Sequence, residues 1–104
     1  MDDTKKLIEE LDNVHPVVVK TIHRYWMKVI ENTDEVFEPT VGIDANSKVL
    51  FSWHLNDHYF EVEFLTSGIE VFWENENDYG TDKVVDPEQA AQWTVNQFEY
   101  LQNE

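Results

Sequence analysis

Residues 39–74 read PTVGIDANSKVLFSWHLNDHYFEVEFLTSGIEVFWE, and this stretch decides the fold. Apolar residues recur at every second position, the period of a half-buried strand, and turn-forming residues gather at Ala45-Asn46-Ser47, Asn56-Asp57 and Ser67-Gly68. Four strands joined by three tight turns are expected. With Asn56-Asp57 as a two-residue turn, Trp53 faces Phe60, Phe51 faces Val62 and Val49 faces Phe64, so apolar side chains meet their own kind. A corner at Ser67-Gly68 pairs Phe64 with Val71 and Val62 with Trp73, and a three-residue turn at Ala45-Asn46-Ser47 pairs Ile43 with Val49 and Val41 with Phe51. One face then carries Val41, Ile43, Val49, Phe51, Trp53, Phe60, Val62, Phe64, Ile69, Val71 and Trp73. A slip of one residue would turn them all to water.

Parity assigns the other face. Ser52, Glu61 and Glu74 form one expected row, and Leu50, Glu63 and Phe72 the next. Leu65 lies beside Glu70, and His54 and Tyr59 sit at the hairpin end. Glu61 opposite Glu74 is a like-charge pair, which costs a sheet about 0.2–1 kcal/mol and asks for a reason other than stability. Alternate residues of a strand lie about 6.5–7 Å apart, close to the spacing of phosphates along one nucleic-acid strand. Glu61, Glu63, Glu70 and Glu74, with Glu76, Asp78 and Asp82 beyond them, could therefore stand where a nucleic-acid-binding protein expects phosphates. Tyr59, Leu50 and Phe72 lie among them as apolar contacts. The plainer reading of the same acids is solubility.

The flanks read as helices. Thr4–Leu11 is a short amphipathic helix, stopped and capped by Asp12-Asn13. A second helix opens near Pro16, where a missing N–H does no harm, and buries Val18, Ile22, Tyr25, Trp26 and Val29. Its other side holds Lys20, Arg24 and Lys28, either a solvated stripe beside nearby carboxylates or a surface for an acidic partner such as a second copy. After the sheet, Glu74–Asp86 is a polar, acidic connection in which Val84-Val85 could add a short edge strand. Asp86-Pro87-Glu88-Gln89 starts the last helix with an N-cap aspartate and a proline at the first helical position. That helix runs to about Leu101 and turns Ala90, Ala91, Thr94, Val95, Phe98 and Leu101 inward. Trp93 and Tyr100 project from its flank, either over the sheet edge or toward a partner.

The expected architecture is α+β: two N-terminal helices, a four-stranded antiparallel meander, and a C-terminal helix packed on one sheet face. Residues 1–104 form a single domain, with 1–38 helical, 39–74 the sheet, and 75–104 an acidic loop and helix. At 41% hydrophobic content the chain can bury one modest core.

Charge narrows the partners. The formal net charge is −15, split as eight acids and five bases over residues 1–37 (net −3) and fourteen acids and two bases over 38–104 (net −12). Such a field repels nucleic acid and anionic lipid and attracts basic proteins. With no cysteine, no apolar run of membrane-spanning length and no basic leader at the N-terminus, a cytoplasmic protein is expected, or one of the host cytoplasm if a phage encodes it.

Catalytic chemistry finds little footing. His54 and His58 flank the Asn56-Asp57 turn but point to opposite faces under this register, which argues against a shared metal, and His15 and His23 read as surface groups. Glu61 with Glu74 or Glu63 could act as acid and base, yet the face is open and no pocket, lid or glycine-rich loop is evident. Neither a cysteine nor a serine elbow offers a nucleophile. No enzyme activity and no cofactor or metal is expected.

The run Pro39–His54, followed by YFEVEF at Tyr59–Phe64 and GIEVFW at Gly68–Trp73, resembles the small acidic orphan proteins of bacteria and their mobile elements. These share a proline-led strand, a strand ending in Trp-His, and a strand alternating apolar residues with glutamate. The first turn, Asp44-Ala45-Asn46-Ser47, departs from them in lacking glycine. The resemblance implies a meander and a genomic neighbourhood, not a mechanism. The leading functional expectation is a non-enzymatic inhibitor of antitoxin, immunity or anti-defence type that neutralises a basic, nucleic-acid-binding protein through a carboxylate-rich sheet face. The alternative is an acidic dimeric chaperone or adaptor for a protein client, and a third reading is a small metal-dependent enzyme using His54, Glu61 and Glu74.

Overall fold

The structure, a computed structural model, describes residues 6, 8, 14–43, 48–55, 57–84 and 86–102. Pro16–Asn32 forms helix α1, and Thr40–Ile43 (β1), Val49–Leu55 (β2), His58–Leu65 (β3), Gly68–Glu74 (β4) and Tyr79–Val84 (β5) follow before helix α2, Pro87–Gln102. The strands form one five-stranded sheet in the order β1-β2-β3-β4-β5, each pair antiparallel. The class is α+β, as the patterning implies, with one strand more than expected. Of the helix expected over Thr4–Leu11, Lys6 and Ile8 have helical backbone and Ile8 is buried; the rest of it, with the Asp12-Asn13 cap, lies outside the described residues.

Each element starts for a local reason. The imidazole Nδ1 of His15 accepts from the Val17 amide at 3.2 Å and caps α1 just ahead of Pro16. Asp86 caps α2 in the same way, its Oδ1 accepting from the Glu88 amide at 2.9 Å.

Alternation then decides which side of the sheet is dry. Along β3, His58, Phe60, Val62 and Phe64 are buried while Tyr59, Glu61, Glu63 and Leu65 are partly open. Both helices cover the buried side: Tyr25 and Trp26 of α1 meet Phe51, and Phe98 of α2 meets Trp53 and Phe60. Inside this layer the Tyr25 hydroxyl lies 2.6 Å from Thr94 Oγ1, whose own proton goes to the Ala90 carbonyl, so Tyr25 donates and ties α1 to α2. Burial pushes the Tyr25 phenol pKa far above its ordinary value. Each fully buried phenylalanine contributes about 1.5–3 kcal/mol of transfer free energy, which makes parity the dominant constraint.

Two pairings anticipated from sequence are borne out. Val49↔Phe64, Phe51↔Val62 and Trp53↔Phe60 join β2 to β3, and Ile43↔Val49 and Val41↔Phe51 join β1 to β2. The Ala45-Asn46-Ser47 turn between them lies outside the described residues.

The β3–β4 pairing differs. The corner is Thr66-Ser67, so Phe64 pairs with Ile69, Val62 with Val71 and Phe60 with Trp73, two residues away from the expected register. Both registers keep the same faces. The expected one sets polar Thr66 opposite Ile69, whereas the observed one gives Ile69 the Phe64 ring and leaves Thr66 in the turn. Gly68 opens β4 at φ 145°, a conformation that disfavours any other residue.

The fifth strand replaces half of the acidic connection expected over 75–86, and it ends at Val84, where the short edge strand expected at Val84-Val85 would begin. It is an edge strand reading YGTDKV, with too few apolar residues to announce itself, and it fits because Gly80 sits opposite Trp73. A Cβ on Gly80 would overlap the Trp73 indole. The indole lies on the strand where a side chain would be.

Candidate functional site

The register decides what the open face can do. Its rows read Leu50, Glu63, Glu70, Lys83; then Ser52, Glu61, Phe72, Thr81; then His54, Tyr59, Glu74, Tyr79. Leu50, Tyr59, Glu61, Glu63, Glu70, Phe72 and Glu74 do share one face, as expected. The expected Glu61–Glu74 pair does not form: Glu61 lies opposite Phe72 and Glu74 opposite Tyr59, because of the two-residue shift between β3 and β4. The like-charge pair is Glu63↔Glu70 instead.

That pair is flanked by two lysines. Lys48 bonds Glu63, and Lys83 reaches Glu70 at 3.7 Å across the β4–β5 pairing. Glu61 accepts a hydrogen bond of 2.8 Å from the Tyr59 hydroxyl. Desolvation, and then the Glu61 bond and charge, push the Tyr59 pKa up from 10.0 to about 12. Three of the four glutamates are thus already engaged within the molecule. The face is an apolar and hydrogen-bonded surface of Leu50, Tyr59 and Phe72 whose four glutamates are half offset by two lysines, rather than a bare anionic ladder.

A group of carboxylates without a lysine or arginine among them lies at one end of the sheet. The β2–β3 turn and the β4–β5 loop leave the sheet side by side, because Leu55 pairs with His58 and Glu74 with Tyr79. A pocket of about 300 Å³ opens there, lined by Asp57 of the first turn, Asn75, Glu76, Asn77 and Asp78 of the second, and Tyr100 of α2. Three carboxylates and no lysine or arginine line it. Asn75 shapes the loop: its side-chain oxygen accepts from the Asn77 and Asp78 amides, both at 2.9 Å, and its own amide donates to the Asp78 carbonyl at 2.8 Å. Tyr79, next in the chain, is 73% exposed, and Tyr100 is 49% exposed.

The two flank aromatics of α2 part company. Trp93 is partly buried on the sheet, edge-on to Phe60 with centroids 5.8 Å apart, so it belongs to the core margin. Tyr100 projects from the last turn beside His58, at 5.0 Å. His58 is buried, with Nε2 2.9 Å from Gln97 Oε1, while His54 meets Tyr59 edge-on on the far side. The two imidazoles face opposite ways. Among the described residues no group of three or more histidines, aspartates or glutamates could hold a metal ion.

Tyr79, Asp57 and the Asn75 loop are the residues that strand patterning passes over. The signal available was local: Asn-Glu-Asn-Asp is a loop composition with an asparagine where an Asx turn needs one. On α1, Arg24 reaches Glu88 of α2 at 4.0 Å and Lys28 reaches Glu31 at 3.3 Å, so this stripe meets carboxylates of its own chain. No described helix is long and apolar enough to cross a membrane.

Comparison of the chain with protein-family models, with curated proteins and with solved structures finds no significant match. The functional reading therefore rests on this surface.

Proposed function

We propose that the protein is a non-enzymatic binding module that captures a basic, nucleic-acid-binding protein, in the manner of an antitoxin, immunity or anti-defence inhibitor. One observation carries the reading: Asp57, Glu76 and Asp78 share a pocket with half-exposed Tyr100, directly beside Tyr79. The carboxylates raise the encounter rate with a basic surface and compete for lysines and arginines meant for phosphates. Tyrosines add what charge cannot, a large rigid contact area with a hydrogen-bonding tip. Leu50, Phe72 and Glu74 extend the contact along the open face, where Glu61, Glu63 and Glu70 already have partners within the molecule.

A second reading, the dimeric adaptor, draws on the helix layer. Val17 and Met27 are half-exposed on α1, and Met27 with His23, Arg24, Lys28 and Glu88 lines a shallow pocket of about 280 Å³. Hydrophobic docking there would be nearly indifferent to salt.

The test begins with co-purification of the partner from the native host at low ionic strength, followed by titration of the purified pair. The inhibitor reading expects affinity to fall about tenfold or more between low and physiological salt, and a duplex oligonucleotide to displace the protein from its partner. An affinity indifferent to salt, or a partner that holds oligonucleotide and protein together, contradicts it.

A further inference from the structure

The sheet has two edges of opposite character. β5 closes one with exposed Tyr79, Asp82 and Lys83, charged and bulky side chains of the kind that discourage a further strand. β1 closes the other with Thr40, Val41, Gly42 and Ile43, without a charge. Among the described residues no strand pairs with its far side, Ile43 is 52% exposed, and a Cβ on Gly42 would meet nothing within 4 Å. Half of an edge strand's N–H and C=O groups point away from the sheet and remain available to an added chain.

Two shallow pockets sit at the ends of this edge. One, of about 230 Å³, includes Glu38, Thr40, His54 and Leu55 in its lining. The other, of about 280 Å³, is lined by Gly42, Ile43, Lys48 and Leu50. They offer seats for alternate side chains of a strand laid along β1. Charge selects the occupant. From Thr33 to Ser47 the chain on either side of β1 holds four acidic residues, Asp34, Glu35, Glu38 and Asp44, and no basic one.

We infer that the free edge of β1 receives an extended basic segment of the partner as a sixth strand, with an apolar side chain over Ile43 and a lysine or arginine at the Glu38 end. This rests on the reading that the partner is basic and specifies how it is held. A second copy is the poorer occupant, because two chains of net charge −15 repel each other.

The probe is a synthetic peptide of alternating valine and threonine with lysine at each end, compared with a twin carrying glutamate at each end. Amide hydrogen exchange of the full chain is followed while either peptide is added. The lysine peptide is expected to slow exchange at Thr40–Ile43 and leave Tyr79–Val84 unchanged, and the glutamate twin to leave both strands unchanged. Two variants separate edge from charge: I43K and V17K each add one positive charge at a side chain 52% exposed. I43K should weaken peptide binding about tenfold and V17K less than about threefold. No protection at Thr40–Ile43, protection at β5 instead, equal losses in the two variants, or protection of β1 by self-association without peptide each overturns the inference. Equal losses with salt-sensitive binding would sink the edge and leave acidic capture standing; salt-insensitive binding would sink acidic capture itself.

Discussion

On the helix side of β3, Phe60, Val62 and Phe64 have no solvent exposure, whereas Tyr59, Glu61 and Glu63 on the other side of the same strand remain partly open. One backbone therefore serves two chemistries. The buried side is held by shape, with Phe51 ringed by Tyr25, Trp26, Trp53 and Phe64 in edge-on contacts 5.3–6.3 Å apart. The open side is held by single polar contacts, Tyr59 to Glu61, Lys48 to Glu63, and Lys83 to Glu70. Stability should reside almost entirely on the first, with little of it on the second.

The sharpest way to break this contrast is to truncate one residue on each side. F51A should cost about 3–5 kcal/mol in chemical denaturation, the usual cost of removing a buried ring, while E61Q should cost less than about 1 kcal/mol. Comparable losses would mean that the open face also builds the fold. Next in size is Gly80, where the two sides meet at an edge. G80A should cost about 1–3 kcal/mol because its methyl collides with the Trp73 indole, and much of that should return in a W73V background.

The open side also gives a pH signature. The folded Tyr59 pKa, about 12, lies above the ordinary 10.0, so folding favours the neutral phenol. That contribution is complete below pH 10.0 and is lost as pH climbs through about 12. Ultraviolet titration should find one phenol ionising late in this window, absent in Y59F. The smallest effect belongs to the ion pairs: K48A should change stability by less than about 1 kcal/mol, and the change should shrink further in high salt.

How much of this was legible in the sequence follows from the same contrast. The buried side declares itself, because period-two alternation from Val49 to Trp73 fixes parity and a slip would expose a whole row of rings. Parity does not fix pairing. Two β3–β4 registers differing by two residues bury the same side chains, and the choice turns on whether Ile69 meets Thr66 or Phe64. On the open side that uncertainty is decisive, since it moves Glu74 away from Glu61 and brings Glu70 to Glu63.

Edge and margin elements hid for another reason. β5 buries little of itself, and its Gly80 reads as a breaker until Trp73 is seen lying over it. Trp93 stands off the centre of the α2 stripe, yet the Phe60 ring extends far enough to receive it. The pocket at the turn end depends on two hairpins and a helix terminus arriving together, which no single stretch of sequence encodes.

The claim that recognition lies at this turn end, and not on the internally bonded centre of the sheet, is tested most directly by removing equal charge from each place. Partner affinity of the triple variant D57N/E76Q/D78N should be set against that of E61Q/E63Q/E70Q by calorimetry at low salt. The first should lose about tenfold or more and the second less than about threefold. Equal losses, or a larger loss from the sheet face, would contradict it.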